Sequence, residues 1–203
     1  MSPNKFSPHL LILPEDEATK DIANGFHNSL NVNTRSLQIL PFAKGTKDVF
    51  EKFEHDHISK MRQFRQRRIL LLIDFDDEFF VNDPDRSNIQ RRLDYIDSRI
   101  PSDLKERTFV LGARDEPETL RSTVKMSFET IGNELARDCP HSQSELWNHE
   151  MLRHNDRERE RLMRSCGEFL FRQFKFEMQR SPIPDYKIPQ KGFDSQEIFE
   201  DDR

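Results

Sequence analysis

Four short apolar runs interrupt an otherwise very polar chain: HLLIL at 9–13, SLQIL at 36–40, ILLLI at 69–73 and TFVL at 108–111. None shows the strict apolar–polar alternation of a sheet with one wet face. Continuous apolar runs suit strands covered on both faces, as in a parallel sheet. Between them the apolar period changes to that of helices. Ala18, Ile22, Phe26 and Leu30 recur every four residues, and Val49, Phe50, Phe53, Ile58 and Met61 form a rougher stripe. Ile89, Leu93 and Ile96 mark a third, stopped by Pro101. Leu120, Val124, Phe128, Ile131 and Leu135 read as one further helix, with Asp115 as its N-cap and Pro117 in its first turn. The order β-α-β-α-β-α-β-α, with right-handed crossovers, predicts a doubly wound, mostly parallel four-stranded α/β sheet with helices on both faces.

This α/β domain is expected over residues 1–140. A charged helix is expected from about 144 to 180, within an extension over 141–180, with Leu162, Cys166, Phe169, Leu170 and Phe174 on one face. The last stretch, 181–203 (SPIPDYKIPQKGFDSQEIFEDDR), is rich in proline and acid and reads as an extended tail docked on the body or on a partner.

The composition narrows the class. Of 203 residues, 34% are charged and only 34% apolar, yet 17 phenylalanines can furnish a core. A net charge of -5 argues against a chain that coats nucleic acid through overall charge, and leaves room for local basic patches. Cys139 and Cys166 have no CxxC spacing, which fits a reducing cytoplasm rather than a disulfide framework or a zinc cluster. No apolar run approaches the ~20 residues that span a bilayer, and MSPNKFSPHLL has none of the regions of a signal peptide. The expectation is a soluble cytoplasmic protein with no membrane partner.

In a parallel α/β sheet the loops after the strands gather on one edge, where ligands bind. Three of those loops are acidic here. The first run leads into Glu15, Asp16 and Glu17, the third into Asp74, Asp76, Asp77 and Glu78, and the fourth into Arg114, Asp115, Glu116 and Glu118. Carboxylates from adjacent strands are what a hard divalent cation needs, and Asp74 and Asp76 can flank one ion from i and i+2. Helix dipoles also favour acids at helix starts, which accounts equally well for residues 15–17 and 115–118. That explanation covers Asp74, Asp76 and Asp77 less well.

LLILPEDEATKDIANGF followed by ILLLIDFDD resembles the TOPRIM domain of topoisomerases, primases and overcoming-lysogenization-defect nucleases. The likeness extends over about residues 8–135 and is greatest to small stand-alone bacterial TOPRIM-like proteins. In those a GKG(S/T)-type segment follows the second strand and an ETW-like helix start follows the fourth. PFAKGTKDVF and EPETLR stand in the matching places. The resemblance implies a site of Glu15, Asp74 and Asp76, with Asp77 beside them, that binds Mg²⁺ or Mn²⁺ and cleaves phosphodiesters of nucleic acid. Lys44, Arg114 and Glu118 would be substrate contacts. It implies an effector of bacterial antiviral defence or of nucleic-acid maintenance. Two departures stand out: Asp16 replaces a glycine and Leu120 replaces a tryptophan of the family pattern. These favour an alternative, a catalytically silent TOPRIM-like subunit that binds a partner ATPase or nuclease. A receiver-like signalling domain with Asp74 as phospho-acceptor ranks third, since the fourth run ends in GARD and no fifth run is evident.

The remaining motifs read as structural. KMRQFRQRR packs five cations into nine residues before the third run, on the edge opposite the acids. It reads first as a solvated helix end, and otherwise as a second contact surface or a site for an acidic partner protein. His55/His57 and His149/His154 do not have the i, i+4 spacing of a zinc helix. Trp147 reads as an anchor of the last helix, and both cysteines read as core. GxSxG, Walker A and GxGxxG motifs are absent from the sequence.

Overall fold

The four apolar runs become four strands of one sheet in a computed structural model that describes residues 3–75, 89–141 and 145–172. They are β1 (His9–Pro14), β2 (Leu37–Ile39), β3 (Arg67–Leu72) and β4 (Thr108–Leu111). Every pairing is parallel and the order is β2-β1-β3-β4. Ile12 lies opposite both Ile39 and Leu70, and Leu70 opposite Phe109. The pleat sends alternate residues to opposite faces, and both faces are apolar, as the unbroken runs require.

Leu10, Ile12, Leu70, Phe109 and Leu111 face a layer made of α1 (Glu17–His27), α5 (Pro117–Val124), α6 (Phe128–Asp138) and α7 (Asp156–Leu170). Leu11, Leu13, Ile69, Leu71 and Val110 face the other layer. There α2 (Thr46–Lys52) passes through a π-helical turn (Phe53–His57) into α3 (Ile58–Gln63). It is joined by α4 (Ile89–Arg99) and a 3-10 turn (Ser102–Arg107). Phe50, Phe53, Met61, Ile96 and Leu104 are buried here, each contributing about 1.5–3 kcal/mol by leaving water.

The first layer is tied together where α1 crosses α6. A Cβ at Gly25 would stand 2.0 Å from the Glu129 carbonyl oxygen, and one at Gly132 would stand 1.9 Å from that of Ile22. The two backbones therefore meet with nothing between them, which only glycine permits.

Several boundaries differ from those the sequence suggests. β3 begins at Arg67, because its backbone pairs with His9 whatever its side chain does. The Arg68 side chain leaves the sheet, donates to Ser165 Oγ (2.8 Å) and lies over the Phe169 ring. The stripe from Leu120 to Leu135 is two helices, not one. Lys125 turns left-handed (φ 56°) at the end of α5, and Ser127 restarts the chain by accepting from the Thr130 amide (3.2 Å). Asp115 is not the N-cap of α5; Glu116 holds that position without a side-chain bond, and Pro117 opens the helix. Leu30 is not a core residue: α1 ends at His27 and Leu30 is 89% exposed.

The expected helix over 144–180 is shorter. Residues 145–155 are held by tertiary bonds that a helix could not make, and α7 starts only at Asp156. The Arg114 amide donates to the Met151 carbonyl (2.9 Å), and Asn155 bonds both the amide and the carbonyl of Gly112. Trp147 does anchor this region, its indole N–H donating to the Leu135 carbonyl (3.1 Å) beneath the Arg159 guanidinium. At the end of α7 Phe171 turns extended and bridges Val32 antiparallel. Phe174 and the tail at 181–203 lie outside the described residues. No helix among the described residues is long and apolar enough to cross a membrane.

Candidate functional site at the carboxyl edge

In the order β2-β1-β3-β4 the chain winds one way from β1 to β2 and the other way from β3 to β4. The crevice beyond the carboxyl ends of β1 and β3 is thus a topological switch point, the place where open α/β sheets bind ligands. Glu15 and Asp74 are the residues that follow those two strands.

β1 carries its ladder past its own end: the Glu15 amide donates to the Leu72 carbonyl (2.9 Å). Asp16 then leaves the sheet to cap α1, exchanging bonds with Thr19 in a capping box. Its carboxylate is committed to the helix start, which leaves Glu15 as the acid of this loop that enters the crevice. The loop after β2 runs alongside, with the Ala43 amide on the Pro14 carbonyl (2.9 Å), and brings Thr46 to the first turn of α2.

Three segments meet at one carboxylate. Glu15 Oε1 accepts from the Thr46 hydroxyl (2.8 Å) and Oε2 from the Asp74 amide (2.7 Å). Glu15 is 8% exposed and Asp74 7%. Bonds to an ionised oxygen are among the stronger ones in proteins, which offsets the cost of burying this acid. Beneath Asp74, between the sheet and the α1/α5/α6/α7 layer, lies a cavity of about 60 Å³. Its walls are almost wholly apolar, with Leu10, Ile12, Leu70, Leu111, Leu135 and Trp147 among them.

The other expected site residues scatter. Lys44 is exposed on the loop before α2, its amide bonded to Asp48 Oδ2 (2.9 Å). Arg114 and Glu118 are exposed beyond β4 and in the first turn of α5. Asp76 and Asp77 lie outside the described residues. The donor set fits a divalent cation in its chemistry, since two nine-tenths-buried carboxylates come from neighbouring strands. Among the described residues no group of three His, Cys, Asp or Glu side chains comes together to hold one.

His154, set aside in the sequence as no zinc ligand, lies close to the site. It sits on the 3-10 turn Arg153–Asn155, locked to the end of β4 by Asn155, with its ring edge-on to Phe75 at 4.9 Å. Among the described residues neither ring nitrogen has a hydrogen-bond partner. Burial, and then Arg114, pushes its pKa down to about 4, so the ring is neutral at pH 7. Thr46 went unnoticed, although its place two residues after Lys44 in the KGT turn was a usable signal. The two cysteines are core residues. Cys139 donates to Met163 Sδ, and burial pushes both thiols up to about 12, far from nucleophilic.

No family model, no curated protein and no solved structure matches this chain.

Proposed function

We propose that the chain is a TOPRIM-like phosphodiesterase acting on nucleic acid, dependent on Mg²⁺ or Mn²⁺, with Glu15, Asp74 and Asp76 at its site. The observation that carries this reading is the meeting of Glu15 with Asp74 across the β1–β3 crevice. In such a site the bound cation would polarise the phosphate and stabilise the leaving oxygen. Thr46 holds one Glu15 oxygen and the Asp74 amide the other, so the carboxylate is fixed in direction before any ligand arrives. Lys44, on the adjacent loop, has the charge and the exposure to meet a phosphate.

Calorimetric titration of the full chain with Mg²⁺ and Mn²⁺, beside an Asp74→Ala/Asp76→Ala variant, tests the proposal. Saturable binding lost in the variant, together with cleavage of DNA or RNA by the wild type alone, is the expected result. A folded wild type that binds neither ion refutes it.

One observation favours a second reading, a catalytically silent subunit for a partner ATPase or nuclease. Both Glu15 oxygens already accept bonds from the chain, so this carboxylate can serve purely as a clamp on three loops. Under that reading Glu15→Gln lowers stability and no metal-dependent activity exists to lose.

A further inference from the structure

The opposite, amino-terminal edge of the sheet has its own chemistry. The segments that lead into β1 and β3 run side by side, with the His9 amide donating to the Gln66 carbonyl (3.3 Å). This brings Lys5 and Phe6 against Phe64, whose ring Arg67 also covers and whose chain neighbour is the exposed Arg65. The Phe6 ring stands edge-on to Phe64 at 5.8 Å and Phe6 is 72% exposed. Lys5 Nζ lies 5.3 Å from the Phe6 ring and 5.1 Å from that of Phe64, with the Arg67 guanidinium 5.4 Å from Phe64.

The charge here is not balanced. Arg62 pairs with Asp103 through two bonds (2.8 and 3.0 Å), but among the described residues Lys5, Arg65 and Arg67 pair with no carboxylate. Their neighbours feel the crowding. Burial and then Arg68 hold Arg107 below its usual range, and Arg65 adds to it. His9 is lowered by burial first, and also by Arg67 and Arg68. A chain of net charge -5 thus gathers, around an exposed aromatic ring, cations that no carboxylate among the described residues neutralises.

We propose that this edge binds single-stranded nucleic acid, with a base stacked on Phe6 and phosphates held by Lys5, Arg65 and Arg67. Unpaired bases offer the flat faces that a duplex hides, and the backbone offers the opposite charge. An acidic peptide would answer the charge but leave the Phe6 ring in water. The inference goes beyond the acidic crevice and does not depend on it.

The test is fluorescence anisotropy with a labelled oligothymidine of about 15 nucleotides on the full chain, in EDTA so that cleavage cannot intervene. Binding should weaken with salt, each phosphate contact adding about 0.7 to the logarithmic slope. Lys5→Gln/Arg65→Gln should then lower the slope by about 1.4. Phe6→Ala should weaken binding about tenfold at unchanged slope, and Phe6→Trp should restore it. All three side chains are exposed, so these variants keep the wild-type melting temperature. Lys47→Gln, which removes an exposed cation of α2 on the other edge of the sheet, should bind as the wild type does. No salt-dependent binding, or equal binding by Phe6→Ala, overturns the proposal. So does displacement at equal charge concentration by poly-glutamate, which would mark the surface as a protein-binding one.

Discussion

Replacing Gly132 by alanine sets two sizeable effects against each other. Helix propensity alone favours the change by about 0.8–1 kcal/mol. The crossing of α1 and α6 opposes it. The new Cβ would lie 1.9 Å from the Ile22 carbonyl oxygen and 2.7 Å from the Phe26 amide nitrogen. Ordinary contact requires about 3.5 Å, so the helices must part by roughly 1.5 Å. Backbone atoms cannot rotate aside as a flexible side chain can. A gap of 0.5–1 Å already forfeits about a quarter to a half of each dispersion contact. Ile131 and Leu135, buried on α6, and Ile22 and Phe26 beside them would lose part of their packing. Overpacking in a core costs about 1–3 kcal/mol, and a backbone clash belongs at the upper end. The net expectation is a loss of about 2 kcal/mol in urea unfolding, with m unchanged. Gly25→Ala meets the same interface from the other side, 2.0 Å from the Glu129 carbonyl oxygen. Once one Cβ has parted the helices the second is accommodated, so the double variant should lose less than the two singles together, by about 1 kcal/mol or more. A Gly132→Ala protein as stable as wild type, or strictly additive losses, would refute the close crossing.

Three other outcomes are expected. His154 titrates at about 4 in the folded chain and near 6.5 unfolded, so below pH 6.5 the unfolded chain takes up a proton that the folded one refuses. Stability should therefore fall as pH drops from 6.5 to 4, and His154→Leu should flatten that fall by up to about 1.4 kcal/mol per pH unit in urea titrations. Thr46→Val keeps shape but removes a donor to the buried Glu15 carboxylate, and should lower stability by about 1.5–3 kcal/mol, read by thermal unfolding. Arg62→Ala breaks the bidentate pair with Asp103, yet both side chains are half exposed and screened by water, so thermal unfolding should be indistinguishable from wild type.

The sheet was legible because burial on both faces leaves a mark in single residues: each mostly apolar run of four or five residues found its strand. The ends were not, since backbone pairing extends wherever a neighbour strand continues, as at Arg67 and Pro14. The break at Lys125 was hidden because Val124 and Phe128 keep a helical spacing across it, and no glycine announces the left-handed turn. Ser127 was the one local sign. In the candidate site, alternating strand and helix were enough to put Glu15 and Asp74 on one edge. The clamp by Thr46 and the lodging of His154 against Phe75 depend on contacts 31 residues apart or more, which no local pattern records.

The cavity beneath Asp74 makes the molecule uneven in its response to hydrostatic pressure. An apolar-walled cavity of about 60 Å³ corresponds to roughly 36 mL per mole, the most that its flooding could release. At about 2 kbar that work is roughly 1.7 kcal/mol, a sizeable share of the stability of a domain. The softening is lopsided. The side of the sheet covered by α1, α5, α6 and α7 should yield first, while Phe50, Phe53 and Met61 on the other side stay packed. Amide signals followed under pressure would then lose Leu10, Ile12 and Leu70 in concert with Trp147, and the crevice floor under Glu15 and Asp74 would become wet with them.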